Sequence, residues 1–179
     1  MKSLKYLILI VAMVCGAAAP TKAVEPKIVV SIYPLHALAS GVMAGVGTPA
    51  LLLESGQSPH DFALKPSQAR LLQSADLLIW IGEGLEFPLA RFAGNMPPGR
   101  SLPLTTARAA RSGQNLHIWL NPDQAGKIVS LLAAKLADLD PEHAALYAAN
   151  SAALGLRIAN LAQELDALLR PFRSVPYIV

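Results

Sequence analysis

The sequence has very little of what thiol chemistry requires, because Cys15 is its only cysteine. One thiol cannot form a disulfide within the chain, and it cannot build a cysteine zinc site. Cys15 also lies in an N-terminal segment with the pattern of an export signal, so cleavage would leave the mature chain without a thiol. A lipid anchor on Cys15 is the alternative, which Val14 disfavours because a small residue is expected at that position.

The first 23 residues show the order of features that is typical of a secretory signal peptide. Lys2 and Lys5 form a basic start, residues 6–14 are apolar, and residues 16–23 are mostly small. The apolar run is too short to span a bilayer, which needs about 20 apolar residues. We therefore predict cleavage near Ala23 and a periplasmic protein without stable membrane insertion.

Charged residues are scarce, at 15% of the chain, and the excess of bases is confined to the predicted signal. The formal net charge of the whole chain is +3. Three of the 15 bases and no acid lie in residues 1–23, so 12 bases and 12 acids remain after cleavage. A neutral mature chain gives no support to the binding of nucleic acid or anionic lipid.

Apolar runs alternate with segments of helical period, which is typical of an α/β fold with a buried parallel sheet. Hydrophobic residues make up 53% of the sequence, enough for a compact core. We predict a four-stranded parallel sheet with strands at 27–32, 49–53, 76–82 and, more weakly, 101–104. We predict helices at 35–44, 67–74 and 123–139, a short helix ending near 93, and a loop at 105–115.

The last predicted helix, 141–170, is the longest and would span about 45 Å. Asp140 is its predicted N-cap, with Pro141 at the first helical position. Its apolar stripe is most simply interpreted as core, and consists of Leu154, Ile158, Leu161, Leu165 and Leu168. Such a helix is longer than one small lobe needs. We expect residues 24–140 to form an N-terminal α/β lobe, 141–171 a linking helix, and 172–179 the beginning of a second lobe.

Two histidines stand in short polar loops that flank apolar runs. His60 follows the run at 50–53, and His117 lies between Asn115 and the proline at Pro122. Imidazole is the commonest metal ligand among protein side chains, so two of them in rigid loops indicate a metal site. Asp61 is the only nearby carboxylate that is available to assist, and it is equally suited to a turn or to hydrogen bonding a ligand.

Other candidate groups are better explained by structure than by chemistry. We interpret His36 and His143 as packing residues. Glu83 and Glu86 resemble paired catalytic acids, yet acids at the start of a helix also stabilise its dipole. A glycine pair at 82–84 suggests dinucleotide binding, but Phe87 occupies the third glycine position, so the fingerprint fails. The sequence therefore predicts a binding protein and not an enzyme.

Five ordered motifs resemble those of one protein family. They are SPHDF at 58–62, LKPSQA at 64–69, LQSADL at 72–77, GEGLE at 82–86 and HIWLNP at 117–122. Together they resemble the zinc- and manganese-binding solute-binding proteins of ABC transporters. SIYP at 31–34 and WIG at 80–82 resemble the ZnuA-like zinc branch. The resemblance covers nearly the whole predicted mature chain.

The resemblance implies two α/β lobes joined by a long rigid helix, with the metal between them. It implies that His60 and His117 are the ligands from the first lobe, and that a third histidine and a carboxylate come from the second. Zn²⁺ would be the transported ligand, and the ABC permease of a zinc importer would be the partner. The loop at 105–115 carries no histidine-rich or acidic insertion, so a zinc-collecting role for it is unsupported.

Three alternatives stay open from the sequence. The chain could be a manganese-binding relative, or an exported structural or interaction domain without metal function. A metal-dependent hydrolase is a more distant alternative. We expect the sequence to stop before the second lobe, so that the face that packs on this lobe exposes apolar surface and the chain self-associates.

Overall fold

Four parallel strands form the single sheet in the part of the chain that the computed structural model describes, residues 25–54 and 56–176. Their spatial order is β2-β1-β3-β4, and every neighbouring pair is parallel. The strands are β1 (Ile28–Val30), β2 (Ala50–Leu51), β3 (Leu77–Trp80) and β4 (Ser101–Pro103). The predicted α/β fold with a parallel four-stranded sheet is confirmed. The predicted signal peptide, with Cys15, lies outside the described residues.

Helices connect the strands and continue beyond the sheet. They are α1 (Tyr33–Val42), α2 (Pro66–Ser74), α3 (Phe87–Gly94), α4 (Ala107–Arg111), α5 (Pro122–Leu139) and α6 (Ala144–Leu169). Short 3-10 turns occupy Ile118–Leu120, Pro141–His143 and Arg170–Phe172. The predicted loop at 105–115 was wrong in part, because α4 lies within it.

The two central strands are buried along their whole length. Every residue of β1 and β3 is buried, whereas both residues of the edge strand β2 are partly exposed. Helices cover both faces of a parallel sheet, so its inner strands need apolar side chains in both directions. This explains why β1 and β3 are continuous apolar runs in the sequence.

Prolines mark the starts of four of these helices. α1, α2, α3 and α5 each have a proline at the first or second position. Proline is favoured there because its fixed backbone angle suits the helix and its absent N–H would have no partner in any case. α1 therefore begins at Tyr33, two residues before the predicted start.

At α5, the side chain of Asn121 accepts hydrogen bonds from the main-chain N–H groups of Asp123 and Gln124, at 2.9 and 3.1 Å.

The core lies between the sheet and helices α1, α2, α3, α5 and the first part of α6. Leu35 of α1, Ile79 of β3, and Leu132 and Leu136 of α5 are all fully buried. Leu132 and Leu136 are one helical turn apart, and side chains at this spacing lie on the same face. The apolar face of α5 is therefore the one that covers the core.

The prediction that the apolar stripe of α6 is core was wrong for its second half. Leu154 and Ile158 pack partly buried against the core, whereas Leu161, Leu165 and Leu168 are 50%, 40% and 68% exposed. A groove between α5 and α6 runs from Pro122, the first residue of α5, to Ala162 on α6. Among the described residues, the apolar side chains of α6 after Ala162 are exposed, including Leu165 and Leu168.

The start of α6 also differs from the prediction. The side chain of Asp140 makes no N-cap hydrogen bond, and a 3-10 turn precedes the helix. Instead, the Asp140 carboxylate accepts a hydrogen bond from the buried hydroxyl of Tyr147 at 2.8 Å and contacts Nδ1 of His143 at 2.7 Å. The aspartate thus ties the turn to the first part of α6.

Two further predictions concern the C-terminal residues and the lack of a membrane-spanning segment. Of the predicted beginning of a second lobe at 172–179, residues 177–179 lie outside the described residues. Within 25–54 and 56–176, no helix combines the length and apolar character that a bilayer crossing requires.

Candidate metal centre

The fold brings the two predicted metal histidines together. His60 follows β2 and His117 follows β4 and α4, and their ring centroids are 5.8 Å apart with the planes tilted by 47°. Two imidazoles that share one tetrahedral zinc, at Zn–N distances of about 2.0–2.1 Å, have centroids about 5 Å apart. The observed separation is close to this value.

The loop that carries His60 is held at its base by Gln68 of α2. The Gln68 side chain is buried, and its Nε2 donates to the main-chain oxygen of Leu52 at 2.7 Å. Its Oε1 accepts the main-chain N–H of Lys65 at 2.8 Å. These two bonds join the end of β2 to the start of α2. The loop that carries His60 is thus held at both ends, although His60 itself is exposed.

Within this loop, Ser58 organises the histidine locally. Ser58 Oγ accepts the main-chain N–H of His60 at 3.3 Å, and Ser58 forms an isolated antiparallel bridge with Asp61. Short side-chain bonds of this kind to a neighbouring main chain are typical of serine in turns. Asp61 therefore takes part in the turn, which is one of the two roles predicted for it.

His117 is partly buried and lies between two neighbours in the sequence. Asn115 Oδ1 lies 2.9 Å from the ring Nδ1 and also accepts the main-chain N–H of His117 at 3.0 Å. The Trp119 ring meets the His117 ring edge to face, at 5.2 Å between centroids. An open cleft of about 760 Å³ adjoins this loop between α4 and the start of α5. Its lining includes His117, Asn115 and Asn121.

Glu86 lies buried near the carboxyl end of β3, and its role was not anticipated. Its Oε2 accepts the main-chain N–H groups of Ile81 and Gly82, at 2.6 and 3.2 Å. Burial raises the pKa of Glu86, and the hydrogen bonds from these two N–H groups oppose the rise. Glu86 is the N-cap residue of α3, yet its side chain makes no capping hydrogen bond there and turns back to the end of β3. The available signal in the sequence was the position of Glu86, four residues after Gly82.

Gly82, at the same turn, has a conformation that requires glycine. Its φ is +134°, and a Cβ added there would lie 2.8 Å from Oγ1 and 3.0 Å from the main-chain oxygen of Thr105. Both the backbone angle and this close approach exclude a larger residue. The GEGLE motif thus fixes the end of β3 through Gly82 and Glu86.

The other two histidines have structural partners. His36 Nε2 lies 2.9 Å from the main-chain oxygen of Pro49, and this contact joins α1 to the start of β2. His143 Nδ1 contacts Asp140. Both agree with their interpretation as packing residues. Among residues 25–54 and 56–176, no three histidine, cysteine, aspartate or glutamate side chains are grouped to hold a metal ion.

Comparison with known proteins identifies the family. The family model described as ZnuA, zinc-uptake complex component A periplasmic, matches residues 28–179. The high-affinity zinc uptake system protein ZnuA of Paracoccus denitrificans is 31% identical, over 96% of this chain and 66% of its own length. The protein of the same name from Brucella abortus is 31% identical, over 100% of this chain and 69% of its own length. The chain thus spans about two thirds of the length of these relatives.

Solved structures share the fold. The zinc-bound ZnuA-like domain of Streptococcus pneumoniae AdcA matches with a TM-score of 0.70 at 20% identity, over 78% of this chain and 54% of that one. The metal-dependent lipoprotein YcdH of Bacillus subtilis matches with a TM-score of 0.67 at 25% identity, over 82% and 55%. The family model covers most of the sequence and the sequence relatives exceed 30% identity. The chain belongs to the ZnuA family of periplasmic zinc-uptake components.

Proposed function

We propose that this chain binds Zn²⁺ as the solute-binding component of a high-affinity zinc ABC uptake system, with His60 and His117 as ligands. The observation that carries the proposal is the 5.8 Å separation of the two rings. The relatives named as zinc uptake proteins support zinc as the transported ion. The ion is cargo, so the protein needs binding groups and no catalytic ones.

Neutral imidazole is a ligand that suits zinc better than it suits manganese, which prefers carboxylate and water oxygens. Zinc sites usually have four ligands, so two imidazoles leave further positions for water or other groups. In the proposed mechanism, His60 and His117 capture the ion at the edge of the sheet. The loaded protein then delivers it to the ABC permease. Manganese binding is the alternative that a metal competition tests.

Zinc binding is tested by competition with a chromophoric chelator, using the whole exported chain and its His60→Ala and His117→Ala variants. We expect each substitution to weaken zinc binding at least tenfold, because each removes one of two imidazoles. The matched control is His36→Gln, which changes a histidine bound to a main-chain carbonyl and should leave the affinity unchanged. Equal affinity in the wild type and both alanine variants would refute the assignment. Tighter binding of Mn²⁺ than of Zn²⁺ would favour the manganese alternative.

We further propose that residues 24–140 act as the metal-binding lobe and 141–171 as a linking helix, after export and cleavage near Ala23. The apolar residues of α6 that are exposed among the described residues support self-association of this chain. N-terminal sequencing of the secreted protein tests the cleavage site. Sedimentation velocity over a range of protein concentrations tests association, and a monomer at all concentrations contradicts it. Copurification with the permease in a membrane extract tests the partner.

A further inference from the structure

We propose that Asn115 is a positioning residue for zinc, which holds His117 in the tautomer that presents Nε2 to the ion. This inference rests on the proposed function, because it assumes that His117 is a ligand. It adds a residue that does not itself touch the metal. One oxygen atom of Asn115 contacts two nitrogens of His117.

The main chain decides which way the Asn115 amide faces. Asn115 Oδ1 lies 3.0 Å from the main-chain nitrogen of His117, which can only donate. If the amide were rotated by 180°, its NH₂ group would face that N–H, and two donors would meet. The oxygen therefore points at His117.

The orientation of the amide in turn decides the tautomer of the ring. The same Oδ1 lies 2.9 Å from Nδ1 of His117. An amide oxygen only accepts, so Nδ1 must carry the proton in this contact. In the neutral ring the other nitrogen, Nε2, then has the free lone pair. A histidine without such a partner populates both tautomers, and one of them cannot bind a metal through Nε2.

The ring is also restrained in orientation. The Trp119 ring packs edge to face against the His117 ring, at 5.2 Å between centroids. Asn115 precedes His117 in the sequence and Trp119 follows it. The His60 ring lies 5.8 Å away. In the described residues, the His60 ring has no comparable hydrogen bond, because Ser58 contacts its main chain only. His117 is thus the preorganised ligand of the pair, and His60 is the one that adjusts to the ion.

Partners that orient metal-bound histidines typically change metal affinity by about 10–100-fold when they are removed. Asn115→Leu removes the acceptor and keeps a side chain of similar size. Asn115→Asp keeps an oxygen that accepts both bonds. Gln114→Leu is the matched control, because it removes an exposed amide next to Asn115 that lines the same cleft. Thermal unfolding of all variants checks that each is folded.

Two measurements test the proposal on the whole chain. The first is the tautomer of His117 in the zinc-free protein, from long-range ¹H–¹⁵N correlations of the ring. The second is zinc affinity by chelator competition. We expect the wild type and Asn115→Asp to show the Nδ1-protonated ring and similar or tighter zinc binding. We expect Asn115→Leu to show mixed tautomers and a 10–100-fold loss of affinity, and Gln114→Leu to match the wild type.

Several outcomes would overturn the role of Asn115. They are an unchanged tautomer in Asn115→Leu, unchanged affinity in the same variant, or an equal loss of affinity in Gln114→Leu. If Asn115→Leu does not fold, an Nε2-protonated ring in the wild type or a loss of affinity in Asn115→Asp still refutes it. The proposed function fails separately, when His60→Ala and His117→Ala bind zinc as the wild type does. A loss in His117→Ala without a loss in Asn115→Leu removes only the positioning role.

Discussion

Removal of one buried hydroxyl, by Tyr147→Phe, is expected to destabilise the protein through Asp140. Tyr147 is fully buried, and its hydroxyl donates to the Asp140 carboxylate at 2.8 Å. A hydrogen bond to a charged group contributes about 1.5–3 kcal/mol. Asp140 keeps its contact with His143 at 2.7 Å in the variant, so the carboxylate is not left without a partner. We therefore expect a loss near the lower end, about 2 kcal/mol.

The stabilisation that Asp140 provides is expected to depend on pH. Burial raises the pKa of Asp140, but hydrogen bonds from Tyr147 and His143 outweigh it and hold the pKa below its ordinary value of 3.8. The folded pKa is lower than the unfolded one, so this stabilisation is present above 3.8 and is lost as the pH falls through the folded pKa. Burial and the bond to Asp140 also raise the pKa of Tyr147, which therefore stays a donor.

The assay is urea unfolding of the wild type, Tyr147→Phe and Tyr33→Phe at neutral pH and at several acidic pH values. Tyr33→Phe is the matched control, because it removes the same atom from a ring that is 67% exposed. We expect the control to change the free energy of unfolding by less than about 0.5 kcal/mol. The difference between Tyr147→Phe and the wild type should shrink as the pH falls below 3.8. Equal losses in both variants at neutral pH, or a difference that grows in acid, would refute the reasoning.

Three further substitutions test the buried carboxyl, the core and an exposed position on α6. Burial raises the pKa of Glu86 in the folded state, so ionisation of this carboxyl lowers the stability of the wild type as the pH rises from 4.5 through the folded pKa. In urea unfolding, the stability of Glu86→Gln relative to the wild type should therefore increase over that pH range. A difference that does not change with pH contradicts this. Leu132→Ala, at a fully buried position, should cost about 2–5 kcal/mol. Leu168→Ala, at 68% exposure, should cost less than about 0.5 kcal/mol, and comparable losses for the two would place Leu168 in a core.

Several elements could be predicted from local sequence. β1 and β3 are continuous apolar runs because a central parallel strand is covered on both faces. The starts of α2 and α5 follow from proline and, for α5, from Asn121, whose effects act within one turn. The pairing of His60 with His117 was predicted from their motifs. The parallel sheet explains it, because loops that follow parallel strands all begin at the carboxyl ends of those strands. Their role as ligands stays a prediction.

Other features depended on which segments meet in space. Helical periodicity predicts which side chains share a face of α6, but it does not say whether another element covers that face, and Leu165 and Leu168 are exposed. The contact between Tyr147 and Asp140 required the 3-10 turn that brings the aspartate back over the first part of the helix. A capping rule considers only the main chain of the next turn, so it predicted a different partner.

The sequence by itself determined the strands, the starts of α2 and α5, the family and the two candidate histidines, because each depends on neighbours along the chain or on an ordered motif. Only the tertiary structure decided that Glu86 is buried against the end of β3, and that the rings of His60 and His117 lie 5.8 Å apart. It also decided that Asn115 faces Nδ1 of His117. Burial and side-chain hydrogen bonds depend on the path of the folded backbone, which spacing in the sequence does not specify.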